Sequence, residues 1–576
     1  MTEPVNGATL IARTLKARGV ERVFALCGGH IMPIWMALDA EGIEIVDVRD
    51  ERSAVYMAHA SAAVGGGFGV ALVTAGPGVT NAMTGIANAH VSRTPVLVLS
   101  GVPPRPQENR GALQDMSHTA LLGSITRHAR TVRHAHALPR ELDAAIGAAC
   151  GRGGEPGPAF LDFPVDLQRE HIPDALTRVE QVAGRPRPRT RPLEEDLRAA
   201  ARAIAKAGRV VVVSGRGANA APEELARFLT AAGAGYLDTG ETKGIIDDGH
   251  PAHIGAMRGQ AMTQADLVVT VGRKLDFQLA YGSPAVFGDA KMLRISDKAE
   301  ELFDNRLGEI ALLGDLPETL GALADLLCAM KEDRDRSWLA KMREGHLERS
   351  EKLGQMLASA PSDAEGRMSP NRLLGELRKR IDPDAVVIAD GGDFLSFARV
   401  ALNPKTYLDP GPLGCIGLAT PFALGAKKAA PDRQVVAVTG DGAFGFTAIE
   451  LDTLVRHKVP VMIVVGNNRA WAIEVRDQMD SFGKVVGTRL QDADHAAMAR
   501  AFGMDAVRIA SEAELPGKLD EAFGVLKAGR PVLVDAVISG EAQSSDSKSG
   551  LAWVPDHQAL DAWDKAERKW LGLDKS

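Results

Sequence analysis

Residues 440–468 read GDGAFGFTAIELDTLVRHKVPVMIVVGNN, and the fold is decided by how that stretch is read. It opens with Gly440-Asp441-Gly442 directly after an apolar run, QVVAVT at 434–439, and closes with Asn467-Asn468 directly after a second run at 459–465. Between the two, Phe446, Ile449, Leu451 and Leu454 recur at helical spacing. Strand, turn, helix, strand and turn in that order make a βαβ unit. Its two turns then lie side by side at the carboxyl edge of a parallel sheet, where ligands bind. An Asp carboxylate and an Asn amide oxygen delivered there are hard oxygen donors, suited to a Mg²⁺ that also holds phosphate oxygens. Flanking glycines let backbone N–H groups come close to a diphosphate. A bare GDG is usually only a turn; the Asn-Asn pair at this distance, with a strand on each side, sets this one apart.

Outward from that unit, the chain of 576 residues is too long for one core, and three domains of about 150–200 residues are expected. The first block carries apolar runs at 23–26, 43–48, 70–74, 96–99 and 159–163, separated by helical stretches, and ends in a Pro/Arg linker, GRPRPRTRP. A second block runs through RVVVVSGRGA, DLVVTVG, KMLRIS and EIALLG; a charged helix from Lys331 and the polar stretch SAPSDAEGRMSP separate it from the third. Alternating strand and helix throughout argues for an α/β chain of three doubly wound parallel-sheet domains, over 1–183, 193–358 and 366–540. The tail, 541–576, holds Trp553, Trp563 and Trp570 behind a polar hinge. It reads equally as a lid over an active site or as a helix docked on the body.

Composition narrows the class. Hydrophobic residues make up 45% and charged residues 24%, and the net charge is −7, which gives no electrostatic case for nucleic acid. Four scattered cysteines show no metal spacing and suggest reduced thiols. The N-terminus lacks the basic and apolar regions of a signal peptide, and no run of about 18 apolar residues exists to span a membrane. A cytoplasmic enzyme is expected.

A second carboxylate stands out. The strand-like run IEIVDV is followed by Glu51, which enters an Ala-rich helical segment; a Glu there also suits the helix dipole alone. Taken with the GDG…NN unit, the chain resembles the thiamin diphosphate (ThDP) enzymes of the acetolactate synthase and decarboxylase superfamily, over nearly its whole length. The resemblance implies pyrimidine-binding, central and diphosphate-binding domains in that order. It makes Asp441, Asn468 and the backbone oxygen of Ala470 ligands of Mg²⁺, with Gly440, Gly442 and Ala443 around the diphosphate. It makes Glu51 the partner of the pyrimidine ring that promotes loss of the C2 proton. PLGCIGLATPFALGA resembles the segment that bends the cofactor, with Ile416 as the wedge and the Gly414 carbonyl as an acceptor. Gly392 and Asp393, in the GGD turn, suit the far side of the diphosphate. In this family the cofactor lies between two chains, so a homodimer is the minimum and a tetramer is common.

Substrate choice rests on the side chains around the thiazolium. His30 in GGHIMPIW and Gln114 in NRGALQDMSH are the polar candidates. Pyruvate-decarboxylase-type enzymes use a His-His pair where this chain has Gln114-Asp115. The two motifs together look most like 2-hydroxyacyl-CoA lyases and related acetolactate-synthase-like lyases. Glu474 lies six positions beyond Asn468, the offset of an acid/base in pyruvate decarboxylases; otherwise it is a helix glutamate paired with Arg476. The expected activity is Mg²⁺- and ThDP-dependent cleavage of a 2-hydroxyacyl-CoA to formyl-CoA and an aldehyde or ketone, running in both directions. Acetolactate-synthase-like or decarboxylating action on 2-oxo acids, and oxalyl-CoA decarboxylase, are the alternatives. For coenzyme A or ADP, the turn at Gly215, Arg216 and Gly217 in the central block is the candidate, together with Arg399; FAD is not expected. Gly-Arg-Gly after a strand is equally a plain tight turn.

Overall fold

The computed structural model describes residues 5–173, 189–330 and 335–544, with five further positions at 565, 568, 569, 572 and 573. The described residues form three sheets whose paired strands all run parallel. The first contains β1 (Arg22–Ala25), β2 (Glu44–Asp47), β3 (Gly69–Val73), β4 (Val96–Val102), β5 (His128–Thr131) and β6 (Pro158–Pro164) in the order 2-1-3-4-6-5. The central sheet contains β7 (Val210–Ser214), β8 (Gly235–Leu237), β9 (Leu267–Val271), β10 (Lys291–Ser296) and β11 (Ile310–Leu313) in the order 11-10-9-7-8. The third contains β12 (Val386–Asp390), β13 (Thr406–Leu408), β14 (Val435–Gly440), β15 (Met462–Asn467), β16 (Asp505–Ile509) and β17 (Val532–Val537) in the order 13-12-14-15-17-16. The first and third sheets therefore share one winding. In each, the order reverses between the first strand and the third, which sets a crevice outside their carboxyl ends.

Runs such as VVVVS in β7 and MIVVG in β15 are buried from end to end, as strands covered on both faces must be. The covering helices are small-residue helices where two domains meet. Helix Glu51–Gly65, capped by the Asp50 side chain accepting from the Arg52 N–H, packs along helix Ala419–Ala429 of the third domain. A Cβ on Gly425 would lie 2.2 Å from the Met57 carbonyl oxygen, so only glycine allows this approach. One apolar cluster joins Phe24, Val55 and Phe160 of the first domain to Phe422, Val435 and Ile463 of the third. The central sheet keeps clusters of its own.

The helix expected between Gly442 and Pro460 is broken into three pieces, Asp441–Phe444, the 3-10 turn Ala448–Glu450 and Leu451–Arg456. Leu451 and Leu454 are buried, but Phe446 and Ile449 are exposed, so helical spacing there concealed two side chains directed to the surface. Much of the Pro/Arg linker, the start of the charged helix and almost all of the proposed lid, with its three tryptophans, lie outside the described residues. Among the described residues, no helix is long and apolar enough to cross a membrane.

Candidate active site

Three turns at the carboxyl edge of the third sheet build one side of the site. β14 ends at Gly440 and Asp441 begins the next turn, with one carboxylate oxygen, Oδ2, buried and without a partner. Burial pushes the Asp441 carboxyl up to about 6, and nearby Asp535 adds to the shift. An orphaned, dehydrated carboxylate oxygen is costly unless a cation takes it. After β15 the two asparagines divide the work. Asn467 turns inward and donates to Asp535 Oδ1 at 3.1 Å and to the Ala493 carbonyl at 3.0 Å. Asn468 faces the cavity, its Oδ1 accepting from the Ala470 N–H at 3.1 Å. Asp441, Asn468 and Ala470 line the same cavity, so the residues present fit a hard divalent cation.

Gly440 and Gly442 serve differently. Nothing stands within 4 Å of a Cβ on Gly440, whereas one on Gly442 would lie 2.7 Å from the Trp471 ring. The turn thus leaves Gly440 open toward a ligand and seats Trp471 against Gly442. Gly414 adopts φ +70° at the end of a 3-10 turn with free space around it, and it lines the cavity with Ile416, Gly392, Asp393 and Ala443. Asp393 forms an ion pair with Arg476 while burial raises its carboxyl above the ordinary value. Glu474 stands in the first turn of helix Ala472–Phe482 and faces the cavity; Arg476 is engaged with Asp393.

Sequence reading missed Asp390. Fully buried at the end of β12, it accepts from the N–H groups of Gly391 at 2.6 Å, Gly417 at 3.1 Å and Ala419 at 2.9 Å. It ties the GGD turn to the segment bearing Gly414 and Ile416, and burial pushes it up to about 6. Its signal was a lone carboxylate ending the otherwise apolar run VVIAD.

The first sheet builds a second group of residues. Glu51 follows β2 and accepts from Asn81 Nδ2 at 2.6 Å, and a Cβ on Gly78 would meet its other oxygen at 3.4 Å. His30 follows β1 and Gly76 follows β3, the two strands of the switch point. Burial holds the His30 imidazole below its ordinary value, with Gln114 beside it acting in the opposite sense. Gln114, at φ +62°, lies against the open face of Gly76. Glu51, His30 and Gln114 do not line the cavity that holds Asp441 and Glu474. One chain therefore carries both groups and does not bring them together.

The cavity has a volume of about 970 Å³ and extends from the third domain onto central-domain residues including Glu241, Lys243, Arg258 and Gln278; Arg378 and Arg399 also line it. Arg399 pairs with Asp409 at 3.3 Å. The turn Gly215–Gly217 does not line it. Arg216 reaches across to Thr94 Oγ1 at 3.0 Å and pairs with Glu241 at 3.5 Å. A Cβ on Gly215 would lie 2.5 Å from Arg273, and one on Gly217 would lie 2.9 Å from Gly272. Both glycines pack closely against the neighbouring turn, and of the four residues named for coenzyme A only Arg399 faces the cavity.

Family models for thiamine pyrophosphate enzymes match the chain three times. The N-terminal TPP binding domain matches residues 5–121, the central domain 197–323 and the C-terminal TPP binding domain 390–536. The chain is 31% identical to 2-hydroxyacyl-CoA lyase 2 of Homo sapiens, over 92% of this chain and 90% of that one. It is 31% identical to the protein of the same name from Caenorhabditis elegans, over 93% and 90%. It is 33% identical to an acetolactate synthase large subunit of Mycobacterium tuberculosis, over 96% and 98%.

Proposed function

Because the chain belongs to the thiamine pyrophosphate enzyme family, we propose that it is a Mg²⁺-dependent carbon–carbon lyase cleaving 2-hydroxyacyl-CoA to formyl-CoA and an aldehyde or ketone. The observation that carries this reading is the cavity that takes in Glu474 and Asp441 and, beyond them, Arg258, Arg378 and Arg399. Its volume of about 970 Å³ takes in the cofactor's place as well as the substrate's, and the three arginines beyond suit an anionic thioester better than a small 2-oxo acid.

Asp441, Asn468 and the Ala470 carbonyl would hold the metal and, through it, the diphosphate; the cofactor supplies a nucleophilic carbon and an electron sink. Glu51, contributed by the second chain of a homodimer, holds and passes a proton at the pyrimidine ring, kept in place by Asn81. His30, which burial keeps neutral, and Gln114 orient the substrate hydroxyl and carbonyl. Glu474 removes the hydroxyl proton as the carbon–carbon bond breaks and returns one to the one-carbon product. A thioester in the cavity sets its phosphates among Arg258, Arg378 and Arg399.

The test is incubation of the purified protein with ThDP, Mg²⁺ and a panel of 2-hydroxyacyl-CoAs, with pyruvate and oxalyl-CoA alongside, and products read by mass spectrometry. Formyl-CoA with a matching aldehyde or ketone is the expected result. Acetolactate from pyruvate, or CO₂ from either alternative substrate, with every 2-hydroxyacyl-CoA left intact, would overturn it.

A further inference from the structure

A buried histidine and a buried aspartate stand behind the first-domain group, and neither has a place in the chemistry above. His118, at the start of the short helix His118–Leu122, and Asp162, within β6, are both almost wholly enclosed. His118 Nε2 accepts from the Gly76 N–H at 2.9 Å. That nitrogen must therefore be unprotonated, and the ring proton sits on Nδ1, which faces Asp162 Oδ2 at 3.0 Å. The imidazole is thus held in one tautomer from both sides, with the Phe160 ring edge-on beside it.

What it holds is a turn that needs holding. Gly76 has φ +61° and ψ −110°, a backbone conformation open essentially to glycine, and no side chain caps the helix that follows. Gln114 lies on the open face of Gly76, a Cβ there falling 2.8 Å from Gln114 Cβ, and Gln114 itself sits at φ +62°. Gln114 stands beside His30 and acts on its imidazole. Three links in series, Asp162 to His118, His118 to Gly76 and Gly76 to Gln114, connect the sheet interior to the two side chains assigned to the substrate. Glu51 is held one turn further along, its Oε2 accepting from Asn81 in helix Pro77–Val91, the helix that the Gly76 turn begins.

We infer that His118 and Asp162 are a positioning pair, which fixes the Gly76 turn and thereby sets Gln114 and His30 for the substrate without touching it. The inference rests on the roles given above to His30 and Gln114.

Two variants test it. His118→Gln places an amide oxygen where Nε2 accepts and an amide N–H toward Asp162. The double variant His118→Phe with Asp162→Leu removes both groups together, so no buried carboxylate is left unpaired. Three quantities are measured on each: the His30 titration by NMR in the cofactor-free protein, ThDP C2 hydrogen exchange in the loaded protein, and kcat with KM on the thioester. In the double variant the His30 titration is expected to move away from its wild-type position as Gln114 shifts beside it. The kcat should drop about tenfold or more, C2 exchange should stay within about threefold, and His118→Gln should stay near wild type in all three.

A double variant with unchanged His30 titration and kcat would overturn the inference. So would a parallel loss of C2 exchange and kcat, since that places the effect on Glu51 or the fold at large. A wild-type protein inert toward every 2-hydroxyacyl-CoA would sink the substrate reading instead, while the His30 titration still tests the pair.

Discussion

Asp441 and Glu474 face one cavity and make opposite demands on water. The Asp441 carboxylate is buried with an orphaned oxygen, an arrangement that is stable only with a cation beside it. Asp441→Asn should weaken Mg²⁺-dependent ThDP binding by about 2–4 kcal/mol, roughly 30- to 1,000-fold. The seating of the Trp471 ring on Gly442 offers the readout: intrinsic fluorescence should change when ThDP and Mg²⁺ are added, and Trp471→Phe should remove that signal. Binding of equal strength in Asp441→Asn would exclude it as a ligand. Glu474, in contrast, is free of the neighbouring Arg476, which is committed to Asp393. Glu474→Ala should leave ThDP binding intact and lower kcat by about 10²–10⁴; turnover within a few-fold of wild type would remove it from the proton path.

At the scale of elements, the crossing of helix Glu51–Gly65 with Ala419–Ala429 depends on glycine. Gly425→Ala would set a methyl 2.2 Å from the Met57 carbonyl, and should destabilise the protein by about 1–3 kcal/mol or more, read as a lower denaturation midpoint with unchanged cofactor affinity per folded molecule. The elements also show where sequence reading succeeds. The interior strands lie in apolar runs, such as VVVVS and MIVVG; the strands without one are β5, β8, β13 and β16. Each of these four is at the edge of its sheet. Edge strands are covered on fewer sides and are kept short or polar, so HART and TYL carry no apolar signal. The turns were legible because glycine, Asp and Asn at strand ends have few other uses. Asp390 and the His118–Asp162 pair were not, since each gains its meaning from backbone N–H groups distant in sequence.

At the scale of the molecule, His59 sits where three domains touch. It bonds Thr94 Oγ1 at 3.0 Å, its ring lies 4.9 Å from Phe422 of the third domain, and Arg216 of the central domain reaches the same Thr94. Burial, with the Arg216 charge adding, depresses the His59 pKa from 6.5 to about 3. The unfolded chain takes up the proton below about 6.5 and the folded chain does not. The stability this contributes is therefore complete above pH 6.5 and is lost as pH falls toward 3, on the order of 4–5 kcal/mol across the window. His59→Gln, which keeps a partner for Thr94 without titrating, should flatten the fall of denaturation midpoints between pH 7 and 4. An unchanged slope would show that His59 is not the group responsible.

That Glu51 is not among the residues lining the Asp441 cavity also bears on genetics. If each catalytic centre is shared between two copies, a chain ruined at Glu51 and another ruined at Asp441 are not equally lost causes. Mixed in equal amounts and allowed to exchange partners, half of the dimers would be hybrids. Each hybrid would hold one centre with both defects and one with neither, restoring about a quarter of wild-type turnover from two dead proteins. Two damaged alleles of this one gene would then rescue each other in the same cell.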